Sequence, residues 1–273
     1  MALYLREDFQ QAWAGKDAFA EAAALTGETF RHKEGRRTLR FSLGGRRYFL
    51  KYHAGIGWGE VLKNLLQARA PVLGARNEYE ASLRLAALGV DTLTPAAFGE
   101  RGINPARRES FLITDDLADS VSLEDYCRDW PTRPPALHER RRLMRVVTGM
   151  VRTMHEAGIN HRDCYLCHFL LYPDTLAQAT IDSDVRCHLI DLHRAQIRDR
   201  VPRRWQVKDV AGLAYSAMDI GLSRRDWLRC LRAYAGVPLK TALGRDRAFW
   251  LAVKQRAEKL YRKDMKREPP PWL

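Results

Sequence analysis

Asn160-His-Arg-Asp163-Cys-Tyr-Leu-Cys-His168-Phe-Leu-Leu171, followed by His188-Leu-Ile-Asp191-Leu-His193, decides how this chain is read. The first stretch puts an aspartate in a loop just beyond a helix that Gly158 ends. A carboxylate there can accept a hydroxyl proton and orient the attacking oxygen. The second stretch puts an aspartate at the end of a short apolar run, Leu189-Ile190, where a carboxylate can meet Mg2+. His168 follows Asp163 by five positions. A neutral imidazole can ligate metal, although Mg2+ prefers oxygen, and it can equally hydrogen-bond Asp163 or an acceptor.

Outward from these stretches, the chain changes texture. Residues 8–25 read as a helix carrying Phe9, Trp13 and Phe19. Residues 29–33, 38–43 and 48–52 read as strands, with Gly44-Gly45 as a hairpin turn that needs φ > 0 at both central positions. Residues 60–70 and 77–88 read as helices, the second closed by Gly89. Phe98-Gly99 and residues 111–117 complete the sheet, and the proline-bearing interval 118–135 is a connection. Beyond it, Leu143, Val147, Met150, Val151 and Met154 form one apolar helical stripe. Short strands are expected at 169–172 and 187–192, joined by a polar loop through 173–184. Helices follow at 209–218, after Ser223-Arg-Arg-Asp226 as a capping box, and over 245–263, stopped by Pro269-Pro-Pro271. The expectation is an α+β fold of two lobes: a small antiparallel-sheet lobe over 1–117 and a larger helical lobe over 118–273.

This order is that of a protein-kinase-like site, whose pattern is H-R-D-x-x-x-x-N followed by D-F-G. Phosphoryl transfer asks a protein for positioning and charge cancellation more than for covalent help. Lys51, in the apolar strand Tyr-Phe-Leu-Lys-Tyr, is the candidate for holding ATP phosphates. Glu78 is the candidate partner of that lysine, with Glu80 second; the two point about 200° apart on a helix, so only one can face the sheet. Asp163 is the candidate catalytic aspartate, Asp191 a Mg2+ ligand, and His168 occupies the second metal position. His161 and Arg162 read as support for the loop. Asp209, expected to open its helix, sits where such folds brace the catalytic loop; an ordinary N-cap is the competing reading. No G-x-G-x-x-G precedes Lys51 and no A-P-E follows Asp191. Both absences favour a small-molecule or glycan acceptor over polypeptide. The turn at 33–36 is the candidate for the loop that replaces the glycine-rich one. Gly55-Ile-Gly57-Trp-Gly59 lacks the third glycine and the βαβ setting of a dinucleotide fingerprint, and reads as a mobile loop. A P-loop is absent.

Composition agrees with a soluble globular protein: 46% hydrophobic and 29% charged residues in a 273-residue chain. No apolar run approaches the roughly 20 residues of a membrane span, and charge comes too early at the N-terminus for a secretory signal, so a cytoplasmic location is expected. The five cysteines are odd in number and irregularly spaced, which argues against a disulfide framework. Cys164-x-x-Cys167 has no second pair to complete a zinc site, so buried thiols are expected. The net charge of +13, from 46 basic and 33 acidic residues, calls for a polyanionic partner or serves solubility alone. The basic residues are dispersed and no nucleic-acid reading motif occurs. Arg194, Arg198, Arg200, Arg203 and Arg204 crowd after Asp191; they are acceptor-binding candidates or a solvated basic face. The basic 245–263 helix either rests on anionic lipid or packs against the helical lobe.

The motifs together resemble one family. Gly35-Arg-Arg-Thr-Leu-Arg40, Tyr48-Phe-Leu-Lys51, Lys63-Asn-Leu-Leu66, Pro71-Val-Leu-Gly74, Ser122-Leu-Glu-Asp-Tyr-Cys127, the 160–171 run and Ile190-Asp-Leu-His-Arg-Ala195 resemble the lipopolysaccharide core heptose(I) kinases of Gram-negative bacteria. The resemblance covers nearly the whole chain and makes Cys164, Cys167 and His168 family features. It implies a protein-kinase-like fold and ATP-dependent phosphorylation of the first inner-core heptose, on lipid A-linked core, at its 4-hydroxyl, with Asp163 as catalytic aspartate. It further implies work at the cytoplasmic face of the inner membrane, against an anionic surface, and acyl carrier protein as a partner. A kinase acting on polypeptide hydroxyls and a non-catalytic basic binding module are the competing readings.

Overall fold

The structure, a computed structural model, describes residues 1–33, 35–55, 57–59, 74–104 and 106–272. The helix expected over 60–70 lies outside the described residues, as do Lys63-Asn-Leu-Leu66, most of Pro71–Gly74, and parts of the 33–36 turn and the Gly55–Gly59 loop. The chain divides into two compact units. The first comprises Met1–Arg84, Leu93–Ala118 and Leu192–Arg194; the second comprises Leu85–Thr92, Asp119–Asp191 and Ala195–Leu273.

The first unit is built on a six-stranded antiparallel sheet. Its strands are β1 (Ala2–Leu5), β2 (Glu28–Lys33), β3 (Arg36–Leu43), β4 (Arg46–His53), β5 (Pro95–Arg101) and β6 (Glu109–Asp115), in the order β1-β5-β6-β4-β3-β2. Gly44 and Gly45 have φ of 56° and 78°, as the β3–β4 hairpin requires. That hairpin sets Thr38 opposite Lys51, and β6 sets Leu112 on the lysine's other side. Two helices, α1 (Glu7–Ala12) and α2 (Ala18–Ala24), replace the single helix expected over 8–25. Gly15 breaks the run at φ 73°, and Asp17 restarts it by accepting from the Phe19 N–H. The core gathers Phe9, Trp13, Phe19, Phe41, Tyr48, Leu50 and Phe111. Its rings meet mostly edge to face, Phe19 on Phe111 at 5.2 Å and Phe9 on Tyr48 at 5.1 Å. Arg6 closes one end with a two-point grip on Asp115 at 2.8 Å and a second on Asp8. Helix α3 (Arg76–Ala87) comes between β4 and β5 in the chain, and Gly89 ends its turn at φ 73°.

The second unit is mostly helical. After β7 (Val121–Ser122) and the short α4 (Leu123–Tyr126) comes α5 (Leu137–Glu156), whose apolar stripe is buried at Leu143, Val147, Met150, Val151 and Met154. Gly158 stops it at φ 78° and admits a close neighbour, since a Cβ there would lie 1.8 Å from the Arg198 carbonyl oxygen. Then come β8 (Ile159–Asn160), β9 (Phe169–Leu171), α6 (Pro173–Gln178), β10 (Cys187–Leu189) and β11 (Gln196–Ile197). The interval expected to be a plain loop, 173–184, thus holds a helix, opened by Pro173 at its first position. The strands pair as β10-β9-β7 and β11-β8. Helices α7 (Arg203–Ser216), α8 (Arg224–Ala235), α9 (Leu239–Arg245) and α10 (Arg247–Met265) complete the unit. The capping box at α8 forms as expected, with Asp226 fully buried and also reached by Arg140 and Arg229. Phe249, Trp250 and Tyr261 of α10 are buried, so this helix packs its aromatic side inward; resting that side on lipid is the reading that fails. All five cysteines are free thiols.

Candidate active site

In the first unit the strand lysine finds a carboxylate. Lys51 Nζ donates to Glu78 Oε1 at 2.7 Å. Glu78 is 1% exposed, and its backbone carbonyl is held by the Ser82 hydroxyl. Glu80, two residues on, points to the surface and pairs with Arg76 at 3.1 Å. The helical wheel therefore sorts the two glutamates as it should. A buried carboxylate is tolerated because the ammonium offsets its lost hydration.

In the second unit the loop after β8 carries the other candidates. Asp209 is completely buried and anchors that loop. Its Oδ2 accepts from the His161 N–H and its Oδ1 from the Arg162 N–H, both at 2.7 Å. Asp209 is the seventh residue of α7 rather than its opening residue, so the N-cap reading fails. The helix begins earlier, behind Pro202, with the arginines as its first turn. Arg162 takes φ 78°, a strained conformation for a side-chain-bearing residue, and its guanidinium lies over the Trp205 ring at 5.0 Å. His161 is fully buried, and burial pushes its pKa below the ordinary value, so the ring is neutral. Its Nε2–H donates to the Ile190 carbonyl at 2.9 Å, which leaves Nδ1 to accept from the Asp163 N–H at 3.3 Å. His161 therefore has no lone pair left for an outside proton.

The β9–β10 ladder brings the two opening stretches together. Phe169 pairs with Leu189, and one step further the Ile190 N–H donates to the His168 carbonyl at 2.9 Å. Asp191 thus follows directly beside His168, and His168 Nε2 stands 3.5 Å from Asp191 Oδ2. The other ring nitrogen, Nδ1, donates to the Asp163 carbonyl at 2.7 Å. His161 and His168 lie nearly parallel, 5.6 Å apart. Asp191 has φ 62°, a second strained position in the same cluster. Burial would lower the His168 pKa, but hydrogen bonds to Cys167 and to the Asp163 carbonyl, together with Asp191, raise it to about 9.

The donor set suits one hard cation partly held by substrate. Mg2+ is bound by one or two carboxylates plus phosphates and water, at about 2.1 Å. Two ligands of such an octahedral ion lie roughly 3 Å apart. Asp191 Oδ2 and His168 Nε2 are spaced close to that. Among the described residues no cluster of three or more His, Cys, Asp or Glu forms a self-sufficient metal cage.

One helix face grips the whole loop. From α7, Trp205 stacks on Arg162, Lys208 reaches to 3.7 Å from Asp163 Oδ1, and Asp209 holds the two amides. Gly212 lets the loop pass closely: a Cβ there would come 2.8 Å from the Cys164 carbonyl oxygen. Ser216 Oγ accepts from the Leu166 N–H at 3.0 Å. Steps of three and four residues put these groups on one side of the helix. Sequence reading singled out Asp209 and passed over the rest.

The arginines expected to bind acceptor scatter. Arg203 stacks on Phe249 at 4.8 Å and lies 3.9 Å from Asp246, in among the C-terminal helices. Arg204 lies over Trp205 at 5.3 Å, the ring that Arg162 also meets. Arg194 belongs to the short turn Leu192–Arg194 of the first unit. Arg198 ties β11 to β8 through Asn160 Oδ1 at 2.7 Å. A denser group lines a cleft between α5 and α8: Arg141, Arg145, Arg152, Arg229 and Arg232.

Residues 20–234 match the lipopolysaccharide kinase (Kdo/WaaP) family. The chain is 53% identical over 262 residues to a lipopolysaccharide core heptose(I) kinase WaaP from Pseudomonas aeruginosa, covering 96% of each sequence. It is 50% identical over 256 residues to the protein so described from Escherichia coli (strain K12), covering 94% of this chain and 96% of that one. A solved structure described as WaaP in complex with acyl carrier protein superimposes with a TM-score of 0.82 at 46% identity, over 96% of this chain and 100% of that one.

Proposed function

This chain belongs to the lipopolysaccharide kinase (Kdo/WaaP) family, and from that premise we propose that it transfers the γ-phosphoryl group of ATP to the first heptose of the lipopolysaccharide inner core, at its 4-hydroxyl. The relatives that are about half identical over nearly their whole length carry the substrate class. The observation that best supports the chemistry is Asp163, whose loop is anchored through the two neighbouring amides on a buried Asp209. Such a loop holds a carboxylate still through its backbone, as orientation of an attacking hydroxyl requires.

The residues divide the work. Lys51, kept extended by Glu78, takes the α/β-phosphates of ATP. Asp191, with His168 beside it, holds Mg2+, which when bound supplies positive charge to the phosphates. Asp163 orients the heptose hydroxyl and accepts its proton as the new bond forms. His161 and Arg162 hold the loop from below, one by its hydrogen bonds and one on Trp205. Arg204 is the preferred acceptor-binding arginine, since it shares the Trp205 ring with Arg162 of the loop; Arg194 and Arg203 have weaker support.

Lipid A-linked core brings phosphates and acidic sugars, and a chain of net charge +13 suits both that acceptor and the anionic cytoplasmic face of the inner membrane. No described helix is long and apolar enough to cross a membrane, so peripheral attachment is the mode proposed. Acyl carrier protein is carried over from the relative's complex, and the α5–α8 arginine cleft is a charge match for an acidic partner.

Mass spectrometry of core oligosaccharide tests the reading. Cells lacking the protein should make core without phosphate on the first heptose. The wild-type gene should restore it and Asp163→Ala should not. Unchanged phosphorylation in the deleted cells would refute the assignment.

A further inference from the structure

We propose that Lys208 is a catalytic residue of this phosphoryl transfer: its ammonium contacts the transferred phosphoryl group beside Asp163. The inference rests on the kinase reading above and adds a residue to it. Lys208 Nζ lies 3.7 Å from Asp163 Oδ1, and each side chain is 19% exposed. The same Nζ lies over the Trp205 ring at 5.7 Å. A fully solvated ion pair would be worth little and would hold no fixed geometry. This one is set by its neighbour: Asp209 is pinned to the loop amides, and consecutive helix residues point about 100° apart. Pinning Asp209 beneath residues 161 and 162 therefore aims Lys208 along the loop toward residue 163.

The chemistry leaves a need for that charge. The heptose oxygen forms a bond to the γ-phosphorus, and the bond from that phosphorus to the β,γ-bridging oxygen breaks. The hydroxyl proton passes to the Asp163 carboxylate, and ADP leaves with the bond's electron pair. Asp163 must thus stand as an anion against an anionic phosphoryl group, a repulsion that weakens both its positioning and the approach of acceptor. From Asp163 to His168 the loop reads Asp-Cys-Tyr-Leu-Cys-His and brings no lysine or arginine of its own. Lys208 supplies a cation from α7. Standing 3.7 Å from Asp163, its ammonium can turn N–H donors to the equatorial phosphoryl oxygens as their charge grows. A donor used in this way acts on kcat rather than on substrate binding.

The test uses the full chain with ATP and heptose-containing core acceptor, following both phosphate transfer and ATP hydrolysis. Lys208→Met should lower kcat about 100-fold or more, with both KM values within about three-fold and the melting temperature unchanged. Lys208→Arg should recover most of that loss. Ethylammonium added to Lys208→Ala should restore turnover in a saturable way, as no purely structural role would allow. A kcat within about three-fold of wild type in Lys208→Met overturns the proposal. So does a loss that comes with a lowered melting temperature and no rescue by ethylammonium. If the wild-type protein hydrolyses ATP but phosphorylates no heptose, the acceptor assignment fails instead, and Lys208 is judged on ATP hydrolysis by the same thresholds.

Discussion

His168 Nε2 and Asp191 Oδ2 stand 3.5 Å apart because the β9–β10 register leaves them side by side at the ends of their strands. Two residues 23 positions apart in the chain thus form one local unit. The imidazole's other nitrogen is tied to the Asp163 carbonyl, so the unit also touches the candidate catalytic residue.

That unit titrates. The His168 pKa is raised to about 9 from an ordinary 6.5, with hydrogen bonds and Asp191 outweighing burial. A raised folded-state pKa means the stabilisation is fully present below about 6.5 and disappears as pH rises through about 9. Urea midpoints should therefore show wild type losing stability relative to His168→Asn between pH 6 and pH 10. A constant difference across that range would contradict the charged pair. A metal ion ligated through His168 Nε2 would displace the same proton, and on that proposal the KM for Mg2+ should fall from pH 7 to pH 9 in wild type and stay flat in His168→Asn.

Lys51→Met leaves the Glu78 carboxylate buried without its cation. The loss should be about 1–3 kcal/mol in denaturant unfolding, together with a large rise in the KM for ATP. Glu78→Gln keeps an acceptor for the lysine and should cost less stability. Equal stability of Lys51→Met and wild type would show the pair to be idle.

Asp209→Ala orphans two buried N–H groups, those of His161 and Arg162. Each bond of this kind contributes about 1.5–3 kcal/mol when its acceptor is charged, and kcat should fall with the lost loop geometry. Asp209→Asn retains one acceptor oxygen and should lie between. Hydrogen exchange at the amides of residues 161 and 162 reports the lost bonds directly.

Gly158→Ala meets two obstacles: φ of 78°, and a Cβ placed 1.8 Å from the Arg198 carbonyl oxygen. The β8–β11 pairing must open to admit it. The substitution should destabilise by more than the roughly 1–2 kcal/mol of the left-handed conformation alone, as thermal unfolding would reveal.

What the sequence made legible follows from the range of each signal. Gly44-Gly45 and the Ser223–Asp226 box are local instructions, and both are obeyed. Glu78 was separable from Glu80 because a helix fixes relative direction within a turn. The break between α1 and α2 was written in Gly15 and Asp17 but was masked by the aromatic spacing around it. Asp209 was found, yet at the wrong place in its helix, because an aspartate resembles a cap until its tertiary partners are known. Lys208 gave no local sign at all: its partner lies 45 positions earlier. Arg203 reads as an acceptor candidate by its position after Asp191, and nothing local announces its contacts with Phe249 and Asp246.

The α7 face sets a timetable for folding. The loop at 161–166 draws its anchors from residues 205–216, so during synthesis it leaves the ribosome about 40–50 residues ahead of them, several seconds at ordinary translation rates. The β9–β10 hairpin can close in that interval from its own sequence. The loop must wait for a distant helix and bears the entropy of a long closure. A nascent chain released before Trp205 would contain Lys51, Asp163 and Asp191 and none of the loop's anchors on α7. Competence therefore arrives with α7, after the last of those three residues has been made.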